Sequence, residues 1–332
     1  MASIFGDLRV RYDPWEVDYG DQTPLADPEQ ESAEKVDLEI EEPSARWAPI
    51  HPPSDAAPPR RALFVDGVRR LEARILVREG EQLVYGAFGS FAVGWVELHS
   101  AAAAFGEALP FRTAVLGADL RFPGDVQVRP DLVYRAESTP EREVDGPFQY
   151  IQDSMRREEA KLAGALSRED ALVIVDGPLS FEAERHREPV ASLGYIKRLH
   201  KLYLPPQLLP LLATLPAGTR TPLFDIQYAR SGFHRYAWFQ RLAEPFAGAS
   251  EMHGVVRLEV SSKVGVSRAL ALANTTTAWL PRVAPKQARD PRSPQNLLPI
   301  GALEQRLRIH LGNAQLFRRW IQTLIAKEAR RV

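Results

Sequence analysis

Two apolar runs in the chain close on the same two residues. ALFVDGV and ALVIVDGPL place Asp66 and Asp176 after four and five consecutive apolar residues, each just before a glycine. Runs of this length, stopped by turn residues, read as buried strands. Aspartates at the carboxyl ends of neighbouring strands converge on one edge of a sheet. Carboxylates crowded there repel one another unless a divalent cation lies between them, so the pair points to a metal site. The competing reading is that Asp-Gly merely begins a turn. Asp145-Gly146 follows REV rather than an apolar run, and on that ground it is assigned to a loop.

A third carboxylate comes from the helix expected before the second run. In FQYIQDSMRREEAKLAGAL the apolar residues Ile151, Met155, Leu162 and Leu166 share one face. Glu159 stands four residues after Met155 and three before Leu162, on or beside the face that packs on the sheet. A carboxylate buried there is costly unless it is paired or metal-bound. Glu158 is rotated by about 100° towards solvent and takes the role if the register slips by one.

These groups need a scaffold, and the order of elements supplies one. ALFVDGV, ARILVRE and LVYGAFGSFAVGWVEL read as a central strand leading into an antiparallel meander, and FRTAVLG adds a strand. Gly86, Gly89 and Gly94 mark bulges or close backbone approach rather than a nucleotide loop, because the spacing is not G-x-G-x-x-G. RFPGDVQVRPDLVY and ESTPEREVDGP read as loops. A helix feeding the wholly apolar ALVIVDGPL is the pattern of a parallel, helix-covered part of a sheet. Beyond it, ASLGYIKRLHKLYLP reads as a basic helix, HGVVRLEVS as a strand and ALALANTTTAWL as a helix. One long final helix is expected from Ile300 to Arg331. The fold class is therefore α/β, a mixed sheet of antiparallel meander and parallel strands flanked by helices.

Composition narrows the chemistry. The 332 residues carry 42 Lys plus Arg against 43 Asp plus Glu, are 45% hydrophobic, and contain no cysteine. Disulfides, thiolate metal centres and cysteine nucleophiles are excluded, and a reducing, cytoplasmic setting fits. No run approaches the roughly 18 apolar residues of a membrane span, and MASIFGDLRV lacks an export pattern. Residues 1–60 hold 14 acidic against 5 basic residues, a charge of −9, which leaves +8 on residues 61–332. The first segment, rich in acid and proline, reads as an extended arm preceding one domain, residues 61–332, with a helical C-terminal part. Its rings Tyr12, Trp15 and Tyr19 dock on the chain's own core or on a partner. A basic body with an acidic leader suits a polyanion, although the leader also reads as a plain solvated linker.

Taken in order, these parts resemble the NurA family of prokaryotic nucleases. The segments that carry the resemblance are LFVDGVRR, SMRREEAKLAGAL and ALVIVDGPL, followed by LGYIKRLHK, HGVVRLEV and SPQNLLPIGALEQRL. Together they span most of residues 62–320. The resemblance implies a ribonuclease H-like fold and a manganese-dependent nuclease, magnesium being the other fitting ion. It implies homodimers that work with the hexameric HerA translocase, resecting DNA ends 5′ to 3′ for recombinational repair. It makes Asp66, Glu159 and Asp176 the metal ligands, with Asp66 as the bridge in two-metal phosphodiester hydrolysis. Lys197 would offset charge developing on a phosphate, the alternative being an ordinary exposed lysine. A histidine common in the family near the start of the last helix is replaced here by Leu303. Either Glu304 or Asp290 is then the expected fourth ligand, or the site makes do with three carboxylates and water; His310, two turns on, is expected to be a surface residue.

For the nucleic acid itself, KRLHKLY and RYAWFQRL mix Lys197, Arg198, Lys201, Arg235 and Arg241 with Tyr203, Tyr236 and Trp238. That mixture tracks a single strand by phosphate contact and stacking, though rings at such spacing also fill cores. No G-x-x-x-x-G-K-[ST] stretch occurs, so ATP-driven movement has to come from a partner. Two other readings compete: another hydrolase of the same fold, and a non-catalytic adaptor of a DNA translocase.

Overall fold

A computed structural model describes residues 3–13, 33–99, 102–167, 171–179, 192–228, 233–286 and 292–330. Three long strands dominate it: β3 (Arg61–Glu79), β4 (Gln82–His99) and β5 (Ala102–Leu116). They pair antiparallel, β3 with β4 and β4 with β5. ALFVDGV and ARILVRE are one continuous strand, kinked by a register shift between Leu71 and Ala73 rather than ended at Asp-Gly. On the other side of β3 lie β8 (Leu172–Asp176) and then β9 (Ser192–Ile196), both parallel to their neighbour. The helix α1 (Gly146–Leu166) makes the crossover into β8. β9 continues antiparallel through β12 (Val255–Ser261), β11 (Phe233–Arg241) and β10 (Phe224–Tyr228).

Helices cover both faces, and the period of two along β3 assigns its residues to them. Leu63 and Val65 pack with Val173, Val175 and Ala163 of α1. Ala62 and Phe64 pack on the other face with Ile174 and with residues of α3 (Val266–Val283) and α4 (Leu298–His310), among them Leu272, Leu280, Ile300, Leu303 and Leu307. Apart from Asp176 at the end of β8 and Ser192 at the start of β9, both strands are apolar, because both of their faces are roofed.

Several expectations change here. ASLGYIKRLHKLYLP is not a helix: SLGYI is the wholly buried strand β9, and Pro205-Pro206 bars any helical continuation ahead of the short helix α2 (Leu209–Thr214). RFPGDVQVRPDLVY is not all loop, since β6 (Val126–Arg129) and β7 (Leu132–Ser138) form a hairpin. Leu132, Tyr134 and Ala136 are buried in strict alternation with exposed Val133 and Arg135. Asp145 precedes Gly146 at the start of α1, so that pair is a helix entry rather than a free loop. The last helix is two. Gly312 turns the chain at φ +76°, and Asn313 accepts from the Leu316 N–H at 2.9 Å to start α5 (Ala314–Glu328). Leu303, Leu307 and Leu311 serve the cluster around Phe64, whereas Ile321 and Leu324 serve a second one around Phe88 and Tyr134.

Two described parts of the acidic leader are built into the sheet rather than extended away from it. β1 (Arg9–Tyr12) pairs with the far end of β3, and β2 (Ala33–Asp37) pairs with β10 at the sheet's edge. Tyr12 packs against the cluster around Phe88, while Trp15 and Tyr19 lie outside the described residues. Glu41 holds the buried guanidinium of Arg220 with both oxygens, at 2.7 and 2.8 Å, and accepts the Leu223 N–H at 2.8 Å. Part of the leader's negative charge is thus spent inside the protein. Among the described residues, no helix is long and apolar enough to cross a membrane.

Candidate metal centre

Asp176 is the last residue of β8, and Asp66 lies on β3 one residue past the register pair Val65–Val175. The parallel pairing therefore sets the two carboxylates side by side. The alternation that sends Phe64 and Ile174 towards α3 and α4 sends Asp66 and Asp176 the same way. There they meet Glu304, in the second turn of α4. Ligand oxygens of Asp66, Asp176 and Glu304 all lie within 4.8 Å of one another. Asp66 and Glu304 are buried, 5% and 8% exposed.

Among the described residues, two cations face this cluster. The Lys197 ammonium, on the loop leaving β9, donates to Asp176 Oδ2 at 2.5 Å and to Asn296 Oδ1 at 2.9 Å, and lies 3.9 Å from Glu304. The Arg292 guanidinium pairs with both Glu304 oxygens, at 2.9 and 2.8 Å. Asp66 Oδ1 accepts the Gly67 N–H at 2.8 Å, but its buried Oδ2 has no hydrogen-bond partner.

Glu159 approaches from the opposite side. It is 5% exposed on the sheet-facing side of α1, as its spacing from Met155 predicts, while Glu158 turns out to pair with Lys161 at 2.6 Å. What lets Glu159 close in is Gly67: a Cβ on that residue would stand 2.4 Å from Glu159 Oε1. Glu159, Asp66 and Asp176 line one cleft of about 200 Å³ between α1 and the loop after β8, with Gln152 and Arg156 on its wall. Asp66 thus belongs to two acidic groupings, one with Asp176 and Glu304, the other across Gly67 with Glu159.

The electrostatics follow from burial. Desolvation, then the charges of Asp176 and Glu159, push the Asp66 carboxyl well above its ordinary range. Burial also pushes Glu159 up to about 8, against the pull of Arg156. Asp176 is raised by burial and held back by Lys197. Burial alone would lower Lys197, but Asp176, Asp66 and Glu304 more than offset it, and its ammonium is stabilised. Proton and cation compete for such a set of groups, and oxygen donors this close suit a hard divalent ion.

Of the expected site residues, Asp66, Glu159, Asp176, Lys197 and Glu304 are brought together, and Asp290 lies outside the described residues. Leu303 is buried in the core, and His310 is exposed. The expected strand-binding residues fare differently. Arg235 and Arg241 are 2% and 0% exposed, because β11 is an inner strand roofed on both faces. Arg235 pairs with Glu259 at 2.5 Å, and Arg241 donates to the carbonyls of Leu212, Ala213, Glu251 and His253. Neither is available to a nucleic acid. Trp238 is core, and Tyr203 lies under the guanidinium of Arg257. Arg198 is exposed and Lys201 half-buried. Asn296 and Arg292 were not anticipated: an Asn and an Arg in a proline-rich stretch carry no pattern, and only the packing of α4 brings them to the acids.

No family model matches the chain, and no curated protein matches it. Among solved structures, the chain is similar to the NurA nuclease from Sulfolobus solfataricus. The identity is 11%, the match covers 86% of this chain and 88% of that one, and the TM-score is 0.47.

Proposed function

We propose that the chain is a divalent-cation-dependent nuclease that hydrolyses phosphodiester bonds in DNA. The observation that carries this reading is the meeting of Asp66, Asp176 and Glu304, from three separate elements, within 4.8 Å and with Asp66 Oδ2 unpartnered. Metal–oxygen bonds of about 2.0–2.6 Å put the ligands of one ion up to roughly 5 Å apart, so the spacing suits a single cation. The all-oxygen donor set favours manganese or magnesium over zinc or copper. Asp66, Asp176 and Glu304 would hold that ion, and Glu159 would extend the ligand set across Gly67. A bound cation would polarise a phosphoryl oxygen and lower the pKa of a coordinated water.

The chain's own groups do the rest. Lys197, pinned by Asp176 and Asn296, carries a fixed positive charge at the rim of the acids, where it would meet a non-bridging phosphate oxygen. Arg156 and Gln152 give the cleft wall donors for the backbone of the strand. The three-stranded meander with β8 and β9 parallel to its first strand supports the ribonuclease H-like reading of the fold. Manganese preference, homodimers, a HerA-type hexameric ATPase as partner and end resection come with this reading through the sequence resemblance.

The test is cleavage of a 5′-labelled single-stranded DNA with manganese, magnesium or EDTA. Asp66→Asn, Asp176→Asn and Glu304→Gln should each lower the rate by about 100-fold or more. Cation-dependent cleavage that survives Asp66→Asn, or no cleavage with either ion, alone or with the translocase and ATP, would overturn the proposal.

A further inference from the structure

Glu304 reaches the acidic cluster with both oxygens already engaged. Arg292 donates Nη1 to Oε1 at 2.9 Å and Nη2 to Oε2 at 2.8 Å, a two-point fork that fits a carboxylate and leaves it little freedom to turn. The two partners differ in exposure: the Glu304 side chain is 11% exposed, the Arg292 side chain 47%. Arg292 therefore reaches inwards from the surface to a buried acid. Lys197 is different. It is 19% exposed, and its ammonium is held among the acids by Asp176 and Asn296.

We infer that Arg292 is a built-in counter-cation of the Asp66–Asp176–Glu304 cluster, which a divalent ion has to displace from Glu304 in order to bind. This rests on the reading of the cluster as a cation site. Arg292 spares buried like charges from facing one another while Glu304 waits for a ligand. It also sets a threshold, because an ion gains Glu304 only by breaking two charge-assisted hydrogen bonds. The exposed side of the guanidinium makes that exchange feasible, since once released it enters water rather than the core.

The inference is tested by titrating the full-length chain with Mn²⁺ and following the loss of the free-ion electron paramagnetic resonance signal. The wild type should take up the ion, and Asp66→Asn should abolish that uptake. Arg292→Gln should bind about tenfold more tightly, the effect of removing charge-assisted bonds to a half-exposed arginine. Arg292→Lys keeps the charge but loses the fork, and should bind about threefold more tightly. In an Arg292→Gln/Glu304→Gln double variant the gain should vanish, because it acts through Glu304.

Unchanged or weaker Mn²⁺ affinity in both Arg292 variants would overturn the inference and leave the cation site standing. A gain that persists without Glu304 would overturn it too, since only the general field would then be at work. Failure of the wild type to bind Mn²⁺, or equal binding by Asp66→Asn, would instead remove the cation site itself.

Discussion

Gly67→Ala isolates the close approach between the two acidic groupings. The added methyl would stand 2.4 Å from Glu159 Oε1, 2.8 Å from Met155 Cγ and 3.0 Å from Met155 Sδ. An ordinary contact needs about 1 Å more than the shortest of these. Met155 has an unbranched, flexible side chain and can give way at small cost. Glu159 Oε1 is likewise the far end of a flexible side chain, and the cleft it lines gives it room to swing aside. Overpacking of this kind costs about 1–3 kcal/mol, and the lower half of that range applies here because each of the three nearest atoms belongs to a flexible side chain. Urea unfolding reads the loss directly as a fall in midpoint at constant slope. The proposed nuclease activity should fall with it, since the methyl drives Glu159 away from Asp66. Glu159→Asp withdraws the carboxyl by roughly one bond length, about 1.5 Å. In the Gly67→Ala background it should restore at least half of the lost stability. A Gly67→Ala protein within about 0.5 kcal/mol of wild type would refute the reasoning, as would a double variant no more stable than the single one.

Two further substitutions test buried charges away from the cleft. Glu72 on β3 is buried, and desolvation pushes it up to about 7 from an ordinary 4.5, against Ser90 and Arg70. The folded chain thus holds this proton more tightly than the unfolded one, and stability is lost as the pH rises from about 4.5 to about 7. The loss is on the order of 3 kcal/mol at most. Glu72→Gln should remove that part of the slope, and urea midpoints at pH 5 and 7.5 falling in parallel for both proteins would contradict it. Glu41→Ala strips Arg220, whose side chain is 2% exposed, of its carboxylate. It should cost about 3 kcal/mol, the lower end for breaking a buried pair because Glu41 keeps some exposure. A midpoint unchanged within error would mean that the leader is not tied down as the contacts indicate.

Periodicity made much of this site legible in advance. Asp66 and Asp176 follow apolar runs whose length marks buried strands, and Glu159 sits at helical spacing from Met155 and Leu162. What it could not show is which face each carboxylate takes. That depends on the pairing of Val65 with Val175, a contact between residues more than a hundred positions apart. The basic-aromatic segment RYAWFQRL illustrates the converse. A central strand roofed on both faces has no polar side, so Arg235 and Arg241 look like surface residues in composition and are satisfied inside by Glu259 and by backbone carbonyls. Phase marks the break of the last helix: Leu303, Leu307 and Leu311 step by four, but the next position in that step is Gln315, just past Gly312-Asn313.

The same alternation explains why Glu304 is the third acid of the cluster. Along β3, Ala62, Phe64 and Asp66 share one face, and along β8 Leu172, Ile174 and Asp176 share the corresponding one. The apolar members of both strands are capped by Ile300, Leu303 and Leu307 of α4. The helix that seals the core therefore brings Glu304, adjacent to Leu303, over the point where the two strands change from apolar residues to aspartate. Glu159 is borne by the helix on the other face, and only the missing side chain of Gly67 gives it a way through. The chemistry thus comes from ordinary core packing carried one residue too far on each strand. Any change that slid β8 by a single residue against β3 would turn Asp176 towards α1 and undo the cluster, whatever its effect on stability.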